Sequence, residues 1–392
     1  MFPLINTLNF CNRSRDKSQQ EHYPEISGYR KPQLRERGLS TIHEVAAPYD
    51  CLLFFLDSNQ TTWQSISNRE PDARERYQSI QYNLQESIYF MQAMLLAAGL
   101  GTRLRPYSLV RPKPLFPILN RPLLLILLDM LRQAGCTRMV VNGHHLCSQV
   151  KQATAGRENL FYQHEPDILG TGGSLRQAIP HLSDEPVLVM NGDIFHNIDL
   201  AALYSYHIQS GNRITMAMHD YPRFNTVAVK GGFVETFHSD SHRNKPANLA
   251  FTGIHIVDPS IIRLIPERQF FHIIDLYEEL ISQGEKIGCH RVDGAFWQDI
   301  GTPEDYLELH AMLLSGAIRQ PMPIPIPRTP WLVSKKARVG NNIHLAGWGC
   351  IGNANIGANA RLRNCVVWDG AVVPAEERLE NAIVYPRFIL RE

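Results

Sequence analysis

Leu96-Ala-Ala-Gly-Leu-Gly-Thr-Arg-Leu-Arg-Pro106, with Arg111-Pro-Lys-Pro-Leu115 just downstream, is the stretch on which the fold of this chain turns. Residues 94–98 form an apolar run that reads as a strand and ends in Gly99-Leu-Gly101. A glycine-rich turn after a strand lets backbone N–H groups approach phosphate oxygens closely. Two familiar phosphate loops are excluded. The third glycine of a dinucleotide fingerprint is missing, because Leu104 stands there, and no Gly-Lys-Ser/Thr follows. What remains is a loop carrying Arg103, Arg105, Arg111 and Lys113 within eleven residues. Four such cations suit a triphosphate: arginine offers a planar fork to phosphoryl oxygens, lysine a point charge. A solvated basic loop is the bland alternative, and the strand–glycine turn ahead of it argues against that.

Outward from this stretch, residues 91 to about 317 alternate short apolar runs with amphipathic segments. Residues 121–134 predict a helix stopped at Gly135, 138–141 a strand, and 160–163 another. Then come the glycines of 170–173 and a helix from about Ser174. Pro186-Val-Leu-Val-Met190 is nearly continuous in apolar residues, as in a strand covered on both faces. The alternation predicts an α/β domain with a mostly parallel, Rossmann-like sheet. Ligands in such sheets gather at the carboxyl ends of the strands.

The ends of the chain read differently. Residues 1–90 are rich in Arg, Gln, Ser and Glu with poor periodicity, apart from the run 51–56. They predict a weakly structured extension with one or two local helices. The abrupt change at Met91 leaves two readings open: an initiator preceded by an over-extended frame, or a genuine extension with a partner. Five prolines between Pro321 and Pro330 mark 318–331 as a stiff linker. Beyond it, Val333, Val339, Leu345 and Ile351 fall six apart, and Ile356 and Leu362 resume the step after one slip. Gly340, Gly352 and Gly357 follow apolar members of this series. A six-residue step with corner glycines predicts a parallel β-helix over 332–392, about three coils of roughly eighteen residues. That is short for an acyltransferase, so an assembly or regulatory role is expected.

Composition narrows the partners. Lys+Arg (39) nearly cancels Asp+Glu (38), so there is no whole-chain attraction to nucleic acid or anionic membrane. No apolar run approaches the roughly 20 residues of a membrane-spanning helix, and no signal peptide is apparent. Seven scattered cysteines without zinc spacing predict free thiols and a cytoplasmic protein.

Three further groupings carry chemistry. Asp193 follows a buried strand through Asn191-Gly192, and Asp299 precedes Gly301-Thr-Pro-Glu304, where Thr302 reads as an N-cap with Pro303 at the first helical position. Singly, each is an ordinary turn or capping aspartate. Together, beside a phosphate loop, they suit Mg²⁺, which is held by one or two carboxylates plus substrate phosphates. In Glu165 to Gly173, Gly170, Gly172 and Gly173 let backbone pass close to a flat base, and Glu165 could accept from a base edge, with a surface carboxylate as the alternative. His144 and His145 follow a strand but lack a third ligand at suitable spacing, so a structural or rim role is read for them.

Residues 91 to about 315 resemble the sugar-1-phosphate nucleotidyltransferases. Gly-x-Gly-Thr-Arg-Leu-x-Pro with Pro-Lys-Pro-Leu downstream is specific to them, and the other landmarks follow in order: Leu169-Gly-Thr-Gly-Gly173, Asn191-Gly-Asp193, Phe251-Thr-Gly-Ile254 and Trp297-Gln-Asp-Ile-Gly-Thr-Pro303. A subset of members carries a C-terminal left-handed β-helix. The resemblance implies transfer of a nucleoside monophosphate from a nucleoside triphosphate to a sugar 1-phosphate, with release of pyrophosphate. It implies Mg²⁺ on Asp193 and Asp299, catalytic Arg103 and Lys113, and nucleotide contacts at Ala98, Gly99, Gly101, Thr102, Glu165, Gly170 and Thr171. It places sugar-phosphate contacts at Thr252 and Gly253. The Glu-Lys-Pro that many members carry before the Thr-Gly strand is missing, and Lys245 or Arg243 is the weak substitute. A homo-oligomer serving cell-envelope polysaccharide synthesis is expected. Within the class, a mannose-1-phosphate guanylyltransferase-like activity is the expectation, with N-acetylmuramate-1-phosphate uridylyltransferase-like and heptose-1-phosphate guanylyltransferase-like activities as alternatives. A non-catalytic nucleotide-sugar sensor is the alternative outside it.

Overall fold

The computed structural model describes residues 90–237, 248–318 and 322–386, and the backbone of three strands nearer the N-terminus. The chain divides into two compact units, residues 1–81 and 82–392. In the first, Ile42–Ala47, Asp50–Asp57 and Gln60–Ser65 form an antiparallel sheet with Asp50–Asp57 in the middle. The apolar run 51–56 is therefore a central strand, and no helix occurs among the described residues of 1–90. The run is rich in Leu and Phe and the last strand in Thr, which suits strands; the expected local helices fall on residues outside the described ones.

The second unit is built on a nine-stranded sheet. Leu160–His164, Cys136–Gly143, Met91–Leu96 and Val187–Asn191 lie side by side and parallel. Their residues alternate between two faces. Ala93, Leu95, Val141 and Met190 enter one core, and Met94, Val140, Val187 and Val189 enter the other. Both faces are thus covered along the central strands Met91–Leu96 and Val187–Asn191, which is why these two are mostly apolar, while the edge strand Leu160–His164 is partly exposed. The other half of the sheet corrects the expectation of a mostly parallel one. Asn248–Val257 runs antiparallel to Val187–Asn191, and Val227–Lys230 and Phe233–Thr236 form a hairpin beside it. Gly231 and Gly232, both at positive φ, make that turn, as two-residue hairpin loops require. The Gly-Gly pair was a hairpin sign in the sequence that the strand–helix alternation obscured.

Other boundaries shift by a few residues. The first strand of the domain is Met91–Leu96, because the Asn142 side chain takes the Ala97 N–H (2.6 Å) out of the ladder. Leu123–Gln133 begins after Pro122, and Val187–Asn191 begins after Pro186. Gly170–Ala178 starts four residues earlier than predicted. Its glycine N–H groups find a partner in another segment: Gly172 and Gly173 both donate to the Phe271 carbonyl, at 2.9 and 3.1 Å.

Parallel strands continue into the C-terminal part. Trp331–Val333, His344–Ile351, Arg361–Val367 and Arg378–Val384 form one sheet, and Arg338–Val339, Asn355–Ile356 and Val372–Val373 form another. Most paired residues of successive strands are 17 apart, as in Arg338, Asn355 and Val372, one short of three six-residue steps. The slip between Ile351 and Ile356 is that shortfall. Ile351, Ile356 and Leu362 point into the coil's core, whereas Val333 and Val339 stay partly exposed on the first coil, which has a neighbour on one side only. Pro-rich residues 322–330 are not free: Ile324 is buried, and Met322 and Ile326 pack on the domain core. Among the described residues no helix is long and apolar enough to cross a membrane, and Cys136, Cys147, Cys289, Cys350 and Cys365 are free thiols.

Candidate active site

The carboxyl ends of the four parallel strands open into a cleft of about 470 Å³. Residues 97–101 turn across its floor. Gly101 sits at φ 61°, in the left-handed region, and a Cβ there would meet Ser108 at 3.2 Å. Leu104, the residue that breaks the dinucleotide pattern, is fully buried and anchors the short 3-10 turn Thr102–Leu104. Arg103 thereby stays exposed at the cleft wall.

The two aspartates come from distant parts of the chain and meet through one small sheet. Ile194–His196 pairs antiparallel with Trp297–Asp299, setting Ile194 opposite Asp299. Gly192 donates to the Leu96 carbonyl at 2.8 Å, which ties Asp193 to the end of the first strand. Thr302 caps the Pro303–Leu314 helix reciprocally with Asp305 and fixes the turn after Asp299. The Lys113 ammonium then lies 2.8 Å from Asp193 Oδ2 and 3.2 Å from Asp299 Oδ1. The two carboxylate oxygens are therefore within about 6 Å of each other and close enough to share one cation. Burial raises the Asp299 carboxyl above its ordinary value; Lys113 opposes this and Asp193 reinforces it. Gly301 leaves room here, since a Cβ on it would fall 2.5 Å from Asp299 Oδ2 and 3.2 Å from the Arg103 guanidinium.

Only two of the four loop cations face this cleft. Arg103 and Lys113 line it; Arg105 points to solvent, and Arg111 lies over the Trp368 ring at 5.0 Å. The four-cation reading is corrected accordingly: Arg103 and Lys113 sit in separate short 3-10 turns, with Arg105 and Arg111 in the links, so the four leave the backbone in different directions.

At the other end of the cleft, Glu165 is 1% exposed. Its Oε1 accepts from Asn142 (2.8 Å) and Gln163 (2.9 Å), and its Oε2 from Ser174 (3.0 Å). The carboxylate is a buried hub tying two strands to the Gly170–Ala178 helix, and Glu165 also lines the cleft. The glycines of 170–173 are likewise accounted for by protein. A Cβ on Gly170 would meet the Phe271 carbonyl at 2.6 Å, and one on Gly173 the Gln269 carbonyl at 2.5 Å. Ala98, Gly99, Thr102, Gly170 and Thr171 all line the cleft, although the Thr171 hydroxyl also accepts from Ile273 N at 3.1 Å.

Thr252 is fully buried and donates to the Ala217 carbonyl at 2.8 Å, so its hydroxyl is not presented to the cleft. Gly253, at φ 79°, lies against Asn191, which does line it. Lys245 and Arg243 lie outside the described residues. His144 and His145 hold carbonyls of Glu165 (2.9 Å) and Ser108 (2.7 Å). Among the described residues no group of three or more His, Cys, Asp or Glu side chains converges as a closed metal site.

Several lining residues escaped the sequence reading. Asn142 and Asn191 had a sign, an Asn-Gly step ending an apolar strand in both cases. Phe270 and His272 had none; their place follows from the packing of 269–273 on the glycine-rich helix start.

A family model described as nucleotidyl transferase matches residues 92–316. Mannose-1-phosphate guanylyltransferase of Mycobacterium tuberculosis is 28% identical over 295 residues, 73% of this chain and 82% of that one. Mannose-1-phosphate guanylyltransferase catalytic subunit beta of Danio rerio is 27% identical over 312 residues, 75% of this chain and 86% of its own. UTP–glucose-1-phosphate uridylyltransferase of Synechocystis sp. is 27% identical over 328 residues, 75% and 83% of the two chains.

Proposed function

The chain belongs to the nucleotidyl transferase family, and from that premise we propose that its cleft joins a nucleoside triphosphate to a sugar 1-phosphate, mannose 1-phosphate with GTP being the best-supported pair. Formation of a nucleoside diphosphate sugar is the activity that the similar enzymes share by name. The observation that carries the reading is the meeting of Lys113 with Asp193 and Asp299 at the foot of the glycine turn.

A sugar-phosphate oxygen attacks the α-phosphorus. One P–O bond forms, the bond from the α-phosphorus to the bridging oxygen breaks, and pyrophosphate leaves with the electron pair. The nucleophile is already anionic at neutral pH, so positioning and charge neutralisation suffice without a strong base. Arg103 stabilises charge on the α-phosphoryl group, and Lys113 holds phosphate oxygens. The aspartate pair fits a divalent ion, since two oxygens converge on one cationic group and the substrate phosphates supply further ligands. Asp193 and Asp299 would hold Mg²⁺, which lowers the repulsion between the two phosphate groups when bound. A homo-oligomer, a left-handed wind of the terminal coil and a cytoplasmic location belong to the same reading.

Guanine and mannose rest on the names of similar enzymes, two of which are mannose-1-phosphate guanylyltransferases. The uridylyl relative keeps the uridylyl pairing as the second reading. A nucleotide-sugar sensor would tolerate loss of the loop or of the carboxylates, and both are in place. The test is pyrophosphate release over four triphosphates and a set of sugar 1-phosphates. GTP with mannose 1-phosphate is expected to be fastest. No release with any pair would overturn the catalytic reading.

A further inference from the structure

The core of the nucleotidyl domain does not stop at the linker. Cys350, Val366, Trp368 and Ile383 of the terminal coil belong to the same apolar cluster as Leu104, Phe116 and Leu124. The contact concentrates on the segment that flanks Lys113. Trp368 is 1% exposed, and its backbone N–H donates to the Val384 carbonyl, which fixes it to the next coil. Its ring meets Phe116 edge-on at 4.7 Å and lies under the Arg111 guanidinium at 5.0 Å. Its indole N–H donates to the Tyr306 hydroxyl (3.1 Å), which itself donates to the Pro117 carbonyl. Tyr385, on the last described coil, packs edge-on against Tyr107 at 5.0 Å. Asn120 donates to the Ile351 carbonyl at 3.0 Å. Lys113 thus lies between anchor points at 107, 111, 116 and 120, and all of them rest on the coil.

A cation over an aromatic face, largely removed from water, is held more firmly than a solvated one. Among the described residues Arg111 makes no ion pair within bonding distance; the Trp368 ring lies against it, and the charge of Asp369, the next residue after Trp368, attracts it as well. This anchoring has a functional consequence. An ammonium that must neutralise two carboxylates and meet phosphate oxygens depends on its backbone staying put, and misplacement by about 1 Å can cost on the order of 100-fold in rate.

We infer that the terminal coil is a strut of the active site, with Trp368 as a positioning residue that acts through Arg111 and Phe116 on Lys113. This rests on the role given to Lys113 above, and it assigns the coil a task different from assembly. The strut is local to one face of the coil. Val372, 61% exposed on a different sheet, lies outside it.

Full-length Trp368→Leu, Trp368→Phe and Val372→Ser are compared with wild type below their melting temperatures. Amide hydrogen exchange reads the strut without any substrate. In Trp368→Leu, residues 107–116 are expected to exchange at least tenfold faster, with Val187–Asn191 unchanged. The KM for the magnesium complex of GTP or UTP, whichever wild type uses, is expected to rise at least fivefold while the sugar-phosphate KM stays within twofold. A purely structural role would lower the active fraction and kcat but leave both KM values alone. Trp368→Phe, which keeps an aromatic face for Arg111, is expected to restore KM to within threefold, and Val372→Ser to match wild type. Unchanged exchange in 107–116, or faster exchange with both KM values unaltered, overturns the inference. If Trp368→Leu does not fold, Arg111→Met and Tyr385→Ala undergo the same measurements. Absence of turnover in wild type would sink the proposed function alone, because exchange still decides on the strut.

Discussion

Replacing Asp299 by asparagine is expected to abolish turnover and yet leave the protein more stable at neutral pH. Asp299 Oδ1 is 3.2 Å from the Lys113 ammonium. With an effective dielectric of 20, that attraction is about 5 kcal/mol before desolvation. Asp193 shares the same ammonium, so the two carboxylate oxygens are within about 6 Å, and their repulsion is at least ~3 kcal/mol on the same scale. Taking a side chain only 17% exposed out of water costs several kcal/mol more. The balance disfavours the ionised form, in accord with the raised carboxyl of Asp299, whose first cause is burial. An asparagine of the same shape keeps an acceptor for Lys113 and drops the charge, so a gain of roughly 1–2 kcal/mol is expected. The sign with pH follows. A carboxyl whose folded value exceeds its unfolded value of about 3.9 binds more protons in the native state, so stability falls as pH rises through that interval. The advantage of the variant is therefore absent below about pH 4 and grows as pH rises through the raised folded value. Urea denaturation in EDTA at about pH 4 and at pH 7.5 measures it, and pyrophosphate release measures the loss of turnover. A variant less stable than wild type by more than ~1 kcal/mol at pH 7.5 would show that the electrostatic account of this pair is wrong.

Three other outcomes are expected. Lys113→Ala or Asp193→Asn should cut pyrophosphate release by about 100-fold or more with far-UV circular dichroism unchanged, and EDTA should silence wild type until Mg²⁺ is restored; normal rates in either variant contradict the assignment. Glu165→Ala should cost about 2–4 kcal/mol in urea denaturation, because Asn142, Gln163 and Ser174 lose their shared acceptor, while Glu165→Gln should leave the GTP-to-UTP preference within about threefold if the carboxylate does not read the base. Gly170→Ala should destabilise by about 1–3 kcal/mol, since φ is 72° and the new methyl would collide with the Phe271 carbonyl; a melting temperature equal to wild type would mean that segment 269–271 yields freely.

Much of the site was legible locally. A strand running into Gly99-Leu-Gly101 produces a turn open to phosphate because glycine accepts φ 61° at position 101 where other residues strain. Thr302 and Pro303 announced their helix, and the glycine–apolar step announced the regularly spaced parallel strands of the C-terminal part. These features depend on residues within a few positions of one another, so chain order encodes them directly. The antiparallel half of the sheet was hidden because an apolar strand reads alike whichever way its neighbour runs.

The direction of each side chain was decided by partners far away in the chain. Lys113 and Asp299 are 186 positions apart, and nothing near either one specifies their meeting. Arg111, two residues from Lys113, is drawn by Trp368 to the opposite side of the loop. Glu165 and Gly170 line the cleft as their composition suggests, and Asn142 and the Phe271 carbonyl, from other segments, hold them there. The sequence by itself determined the kinds of groups present and the backbone turns that carry them. Which groups line the cleft was decided only by packing, because a charge takes its orientation from whatever lowers its free energy in the assembled fold, and those neighbours are supplied by other strands.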